Sequence, residues 1–288
     1  MRFGEYLELW LETYIKPYRA PSTTACYQRA IDGIPASLRR MDLAEVTGLH
    51  LQMAINAKAI RYPRAGQLMY SMLSVAMGRA MRLQLIQHNP MQGVDKPGHS
   101  PKETATLTAD QLRLYLQEAR GSDHFPLLLL MTTCGLRRGE ALGMTWTAID
   151  GNVLHVVQQR QRIPHHGLQT RPLKSKSSRR DIPLPEAVRA ALVAWPHRTI
   201  SGWIVDTTPE RLARAHGAVL GAAQLPRITL HGLRHSMATA MAADGTPIKL
   251  LQGILGHSHY QLTADLYAAH LRPEAYRPEL DRLSVRIM

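Results

Sequence analysis

The stretch around which this chain is organised is LHGLRHSMATAMAADGTPIKLLQGILGHSHYQLTADLY, residues 230–267. Small and apolar residues at its start predict a buried helix, and His231 and Arg234, three residues apart, share one face of that helix. A second apolar run leads to His257, and Tyr267 follows ten residues later. The stretch therefore supplies a guanidinium, imidazoles and a phenol, separated by segments long enough to form helices.

These side chains together suit a phosphodiester. Arginine binds two phosphate oxygens through its planar fork, histidine moves a proton near neutral pH, and tyrosine can attack phosphorus and hold it covalently. Each residue alone has an ordinary alternative, because a lone histidine is more often a core residue and a tyrosine on a helix face is commonplace. Tyr260, three residues after His257, is the rival nucleophile to Tyr267.

The bulk composition favours a globular protein with a polyanionic partner. The 288 residues suffice for two domains that each bury a core, and the hydrophobic content of 45% excludes a disordered chain. The formal net charge of +13 favours nucleic acid. A membrane surface is the competing partner, but no helix shows the basic, aromatic-edged face that it requires. Two cysteines and the lack of a signal-peptide pattern predict a cytoplasmic protein.

The basic residues are concentrated between residues 151 and 180. This segment contains no Asp or Glu, and a solvated surface normally mixes charges of both signs. We therefore expect it to contact phosphates, with a flexible basic loop that plays no catalytic part as the alternative. Its basic residues are Arg160, Arg162, Arg171, Lys174, Lys176, Arg179 and Arg180.

Residues 1–90 are predicted to form a helical bundle. Apolar spacing indicates helices over 3–14, 23–31, 49–59 and 64–86, with Ser22 and Thr47 as N-caps and Pro63 in the first turn of the last helix. Proline, glycine and serine become frequent from 91 to 106, which predicts an interdomain linker.

Residues 107–288 are predicted to form a second, mainly helical domain with a small β-sheet or hairpin. Thr108 opens it with a capping box closed by Gln111. The apolar stretch 124–134 predicts a central buried helix, and short strands are expected over 153–157, 168–174 and 180–184. Further helices are expected over 185–195, 209–223, 231–242 and, after Pro278, 278–287.

His-x-x-Arg, then Leu-Gly-His, then a tyrosine ten residues on resembles the C-terminal signature of the tyrosine recombinases of the phage-integrase type. The resemblance covers nearly the whole chain. It implies a helical core-type DNA-binding domain at 1–90 and a DNA breaking-and-rejoining catalytic domain at 107–288. The implied function is a site-specific DNA recombinase that works through a 3′-phosphotyrosyl intermediate and integrates or excises a mobile element or phage genome.

The resemblance also implies roles for individual residues. In Gly-Leu-Arg-Arg-Gly-Glu, residues 135–140, the first catalytic arginine directly follows the leucine, and Glu140 has a supporting role. Lys174 protonates the leaving 5′ oxygen, with Lys176 as the alternative. The implied catalytic residues are Arg137, Lys174, His231, Arg234, His257 and Tyr267. DNA contacts are expected from Arg138, Lys176, Arg179 and Arg180.

Partners and cofactors follow from the same resemblance. We expect double-stranded DNA with core-type sites, a monomer in solution that forms a homotetramer on DNA, and an accessory DNA-bending or directionality factor. The first helix begins at about Phe3, so a compact integrase without a domain for arm-type sites is expected. No metal or other cofactor is expected, since no histidine pair has acidic or cysteine neighbours at metal-binding spacing. Two alternatives stay open: a catalytically silent DNA-binding regulator on the same fold, and a type IB topoisomerase.

Overall fold

The computed structural model describes residues 1–98, 105–163, 167–173, 178–197 and 199–256. The chain divides into two compact units, the first made chiefly of residues 1–102 and the second of the residues that follow. Both units are mainly helical, and the second carries two small sheets, which confirms the predicted fold class. Among the described helices, none is long and apolar enough to cross a membrane.

The first unit is a bundle of helices around an apolar core. Its helices are α1 (Phe3–Trp10), which continues as a π-helical turn (Leu11–Ile15), α2 (Pro21–Asp32), α3 (Ala36–Arg40), α4 (Gly48–Arg61) and α5 (Pro63–Arg82). The core contains the aromatic residues of α1 and three methionines of α5, Met69, Met72 and Met77, whereas Met81 is exposed. The Tyr6 hydroxyl donates to the Ala76 carbonyl and so joins α1 to α5 inside this core.

The helix ends in this unit agree with some of the capping residues predicted from the sequence and differ from others. Thr47 caps α4 and Pro63 occupies the first turn of α5, as predicted. The prediction that Ser22 caps α2 is wrong: Ala20 is the N-cap, and Pro21 is the first helical residue, where its fixed φ fits and no N–H is lost. Helix α5 ends at Arg82, four residues before the predicted end, because the chain turns into the left-handed region at Gln84 (φ 57°).

The second unit is built around α7, whose first eight residues are all buried. The predicted helices at 124–134, 185–195, 209–223 and 231–242 are confirmed, and the capping box of Thr108 and Gln111 opens α6. Its helices are α6 (Ala109–Ala119), α7 (Phe125–Thr133), α8 (Arg138–Leu142), α9 (Glu186–Val193), α10 (Pro209–Ala222), α11 (Leu230–Ala243) and α12 (Ile248–Leu255).

Five strands form two sheets in this unit. They are β1 (Ile149–Asp150), β2 (Val153–Val156), β3 (Gln158–Ile163), β4 (Gly167–Pro172) and β5 (Arg180–Pro183). The three predicted strands are present, but the two that flank the basic stretch do not pair with each other. Strand β5 pairs antiparallel with β2, with Arg180 opposite Val156, while β4 pairs with β3, which was not predicted. The predicted helix at 278–287 lies outside the described residues.

Candidate active site

Seven of the residues singled out in the sequence are described by the structure. Five of them come together in the second unit, at the start of α8, on α11 and at the start of β5. They are Arg137, Glu140, Arg180, His231 and Arg234. Lys174, Lys176, His257 and Tyr267, together with the rival Tyr260, lie outside the described residues. The described residues are Arg137, Arg138, Glu140, Arg179, Arg180, His231 and Arg234.

Arg137 is placed by the sharp turn that follows the buried helix α7. Gly135 has φ 61°, a conformation that glycine adopts without strain, and Arg137 is the N-cap residue of α8. A Cβ at Gly135 would lie 2.6 Å from Met237 Cε and 3.1 Å from Leu255 Cδ2, so α11 and α12 pack directly on this turn. The turn therefore fixes Arg137 against the ends of two other helices.

Glu140 is a buried carboxylate held between two arginines. Its side chain is 1% exposed. Oε1 accepts from Nη1 of Arg137 at 2.7 Å and Nη1 of Arg180 at 3.2 Å, and Oε2 accepts from the Arg137 backbone N–H at 2.9 Å and Nη2 of Arg180 at 3.0 Å. With both oxygens engaged, the carboxylate fixes the backbone and the guanidinium of Arg137 at once.

The same contacts keep Glu140 ionised. Burial by itself raises the pKa of this carboxyl group, but the hydrogen bonds and charge of Arg180, followed by those of Arg137, outweigh burial and hold the pKa below its usual range. A charged Glu140 is therefore the resting state at neutral pH, as a support for two guanidinium groups requires.

Arg234 is a buried cation whose described hydrogen-bond partners are carbonyls. The residue is 2% exposed, and its guanidinium donates to the Gly135 and Leu255 carbonyls. Burial, followed by the charges of Arg137 and Arg180, lowers the pKa of Arg234 to about 9, although Glu140 opposes the shift. Within the described part of the chain no carboxylate forms a salt bridge with it. A buried charge in this situation favours an anionic ligand.

His231 lies on α11 three residues before Arg234 but at the solvent-exposed edge of the helix. Its ring packs edge-on against that of His235, with 4.7 Å between the ring centroids. Partial loss of solvent around the ring, followed by the charges of His235, Arg234 and Arg137, lowers the pKa of His231 to about 4. The imidazole is therefore neutral at pH 7 in the protein without bound DNA.

A cavity of about 600 Å³ connects Arg137 and His231. Three further arginines line it: Arg138, Arg160 and Arg227. Arg160 is held by Asp206 at 2.7 Å and lies over the Trp203 ring at 4.7 Å from its centroid. Arg160 was expected only as one member of the basic segment, and Arg227 was not predicted. The cavity combines a neutral imidazole with several guanidinium groups, an arrangement that suits the sugar–phosphate backbone of a nucleic acid.

Arg179 and Arg180 are neighbours in sequence with different surroundings. Arg179 is exposed, as a DNA contact would be, whereas the side chain of Arg180 is 6% exposed and bound to Glu140. In this structure the Arg180 guanidinium faces the protein interior, so the geometry favours a contact with Glu140 over the expected contact with DNA. Arg180 is on the same side of β5 as the buried Ile182, whereas Arg179 lies just before the strand.

The described residues contain no group of three His, Cys, Asp or Glu side chains that could hold a metal ion.

Comparisons with known proteins give the same class of protein. Residues 105–273 match the model of the phage integrase family, and residues 2–59 match the N-terminal SAM-like domain of phage integrases. The chain therefore belongs to the phage integrase family. It is a tyrosine recombinase, an enzyme of site-specific DNA recombination, and the function predicted from the sequence is confirmed at this level.

Individual relatives cover almost the whole chain. The tyrosine recombinase XerC-like protein of Caldanaerobacter subterraneus is 23% identical over 94% of this chain and 80% of its own length. The Tn1549 transposon integrase, solved with transposon right end DNA, superposes with a TM-score of 0.80 at 20% identity over 99% of this chain and 100% of that one. A lambda integrase tetramer bound to a Holliday junction gives 0.70 at 18% identity over 94% and 79%. These two structures support the fold.

Proposed function

We propose that this recombinase holds the scissile phosphate between Arg137 and Arg234 and cleaves the strand with Tyr267. The observation that carries the proposal is the Arg234 guanidinium, which is 2% exposed and lies beside Arg137 with carbonyls as its described hydrogen-bond partners. Two non-bridging phosphate oxygens are the anionic partner that such a charge favours.

The cleavage step is a transesterification in which one phosphorus–oxygen bond replaces another. The Tyr267 oxygen attacks phosphorus in line, the bond to the 5′ oxygen breaks, and a 3′-phosphotyrosyl bond forms. His231, neutral at pH 7, takes the tyrosine proton, and Lys174 or its alternative Lys176 protonates the leaving 5′ oxygen. Arg137, Arg234 and His257 stabilise the charge on the non-bridging oxygens. The 5′ hydroxyl of a partner strand reverses the step.

The first unit is proposed to hold core-type DNA. It carries a cavity of about 650 Å³ whose lining includes four basic residues, and none of the described lining residues is acidic. Tyr62 is 52% exposed, and the cationic groups of Lys58 and Arg61 lie 5.7 and 5.5 Å from its ring centroid. The basic residues are Arg29, Lys58, Arg61 and Arg64. We assign residues 1–90 to this domain, 91–106 to a linker and 107–288 to catalysis.

Assembly on DNA and the identity of the mobile element are also proposals. The lambda integrase relative forms a tetramer on a Holliday junction, and we propose that four copies of this chain join two duplex sites in the same way, from monomers in solution. Integration or excision of a phage genome or transposon is proposed because relatives include prophage and transposon integrases.

A suicide substrate tests the proposed nucleophile. Such a duplex carries a nick next to the scissile phosphate, so cleavage releases a short fragment with a free 5′ hydroxyl, which diffuses away. The covalent adduct then accumulates and is detected on a denaturing gel. Tyr267→Phe is expected to bind the half-site and form no adduct, while Tyr260→Phe, the matched control, forms it normally. An adduct that persists in Tyr267→Phe, or one that disappears only in Tyr260→Phe, contradicts the assignment. The reaction is expected to survive excess EDTA.

A further inference from the structure

Three consecutive carbonyls at the C-terminal end of α12 each accept a hydrogen bond from a different arginine. Arg180 Nε donates to Ile254 at 2.6 Å, Arg234 to Leu255, and Arg137 Nη2 to Gly256 at 3.1 Å. Cations are favoured at this end of a helix, where the last carbonyls lack partners within the helix. Arg180 is the member of this trio that neither the family resemblance nor the proposed cleavage step uses as a catalytic group.

The other side of the Arg180 guanidinium binds the carboxylate that supports Arg137. Nη1 and Nη2 of Arg180 reach the two oxygens of Glu140 at 3.2 and 3.0 Å, and Nη1 also donates to the Ser178 carbonyl at 3.2 Å. Glu140 in turn accepts from Nη1 and the backbone N–H of Arg137. A single guanidinium thus connects the support of Arg137 to the end of α12.

The backbone that carries Arg180 is itself held in place. Arg180 begins β5 and lies opposite Val156 of β2 in the antiparallel sheet, with Ile182 opposite Leu154 further along. Side chains built on a paired strand are positioned more rigidly than those on a loop. The Arg180 side chain is 6% exposed and its partner Glu140 1%, so the ion pair is shielded from water.

We propose that Arg180 is a positioning residue for DNA cleavage, and this proposal rests on the proposed function. It acts through Glu140 on Arg137 and through Ile254 on the end of α12, from which the sequence continues to His257. The fork geometry of arginine is required, because lysine offers a point charge and cannot hold both carboxylate oxygens and the carbonyl in one plane. Displacement of a phosphate-binding group by about 1 Å can slow a reaction about a hundredfold.

The experiment compares Arg180→Lys with Arg179→Ala on the suicide substrate. For Arg180→Lys we expect unchanged half-site affinity and salt dependence, with a cleavage rate at saturating DNA that falls about a hundredfold. Arg179 is the matched control, since it is the adjacent, exposed arginine. Arg179→Ala is expected to weaken binding and lower the salt slope by about one unit, and to slow cleavage at saturating DNA far less than Arg180→Lys does.

A double-mutant cycle shows whether Arg180 acts through Glu140. If it does, Arg180→Lys combined with Glu140→Gln slows cleavage no more than the slower single variant, whereas Arg180→Lys combined with Arg179→Ala gives additive effects. Thermal unfolding followed by circular dichroism checks the fold of each variant.

Distinct outcomes overturn the proposal. Wild-type cleavage by Arg180→Lys, or a loss of binding parallel to the loss of cleavage, rejects a positioning role. If Arg180→Lys does not fold, Arg180 serves the stability of the domain instead. Failure of the proposed function is separate, because wild-type protein would then form no adduct through Tyr267 at all.

Discussion

His231 shows how a single residue acquires its chemistry from its surroundings. The ring stands at the wall of the cavity with His235 edge-on to it and two arginines nearby. A protonated imidazole would add a cation to this group, so burial and the neighbouring positive charges favour the neutral form. The ring is therefore neutral at pH 7 beside Arg137 and Arg234, and a neutral imidazole is the form that the proposed transfer of the tyrosine proton needs.

The acid titration of His231 tests this account. The pKa of about 4 in the folded protein lies below the ordinary 6.5, so the unfolded chain binds the proton first as the pH falls. His231 therefore contributes a loss of stability between pH 6.5 and 4. In NMR spectra of the DNA-free protein, we expect the ring resonance that disappears in His231→Gln to titrate well below pH 6, towards 4. A midpoint near 6.5 contradicts the prediction.

At the scale of elements, local signals in the sequence predicted most helices and missed the pairing of strands. Capping residues and proline positions are read from neighbours in the chain, as Thr47, Thr108 and Pro63 show. Strand β3 was not predicted because its sequence, Gln-Gln-Arg-Gln-Arg-Ile, does not alternate between apolar and polar residues. The interior position of Arg180 followed only from the pairing of β5 with β2, which joins residues 24 or more apart in sequence.

The candidate site shows the same limit. The spacing of Arg137 and Glu140 was readable because both lie within one helical turn. The contacts between Arg180 and Glu140, or Arg234 and Gly135, span 40 and 99 residues and leave no local trace in a single sequence. Tertiary contacts of this length decide which of several arginines in a basic chain are buried and which meet solvent.

The junction of α7 and α8 gives a prediction at this scale. Gly135→Ala imposes a left-handed conformation on alanine and brings its Cβ within 2.6 Å of Met237 on α11. Gly151→Ala is the matched control, with φ 57° and no atom within 4 Å of the added carbon. Urea unfolding should show a loss of about 1–2 kcal/mol for the control and a larger loss for Gly135→Ala. Equal losses would mean that α11 does not press on the turn.

At the scale of the whole molecule, the net charge of +13 is carried by both units. In the second unit, arginines line the cavity beside His231, and in the first, four basic residues line a cavity of their own. Counterion release from DNA makes such contacts strong at low salt and weak at high salt. Binding through both units is therefore expected to show a steeper salt dependence than either unit alone.

Cys26 offers a direct probe of the first unit. It lines the cavity with Arg29, whose Nη2 lies 3.2 Å from the sulfur, while Cys134, the other cysteine of the chain, is 1% exposed. The native protein therefore has one accessible thiol and needs no engineered label. We expect half-site DNA to slow the alkylation of Cys26 by a maleimide, measured by peptide mass spectrometry, and added salt to restore the rate as DNA dissociates.

Two substitutions in the first unit decide whether this protection comes from DNA in the cavity. Arg61→Ala removes a charge from the lining, and Arg40→Ala removes the same charge from an exposed position on α3 outside the lining. If phosphates occupy the cavity, Arg61→Ala weakens half-site binding and shifts protection of Cys26 to higher DNA concentration, while Arg40→Ala changes both much less. If bound DNA leaves the alkylation rate of Cys26 unaltered, the DNA does not pass over the cavity, and the first unit must contact it through another basic surface.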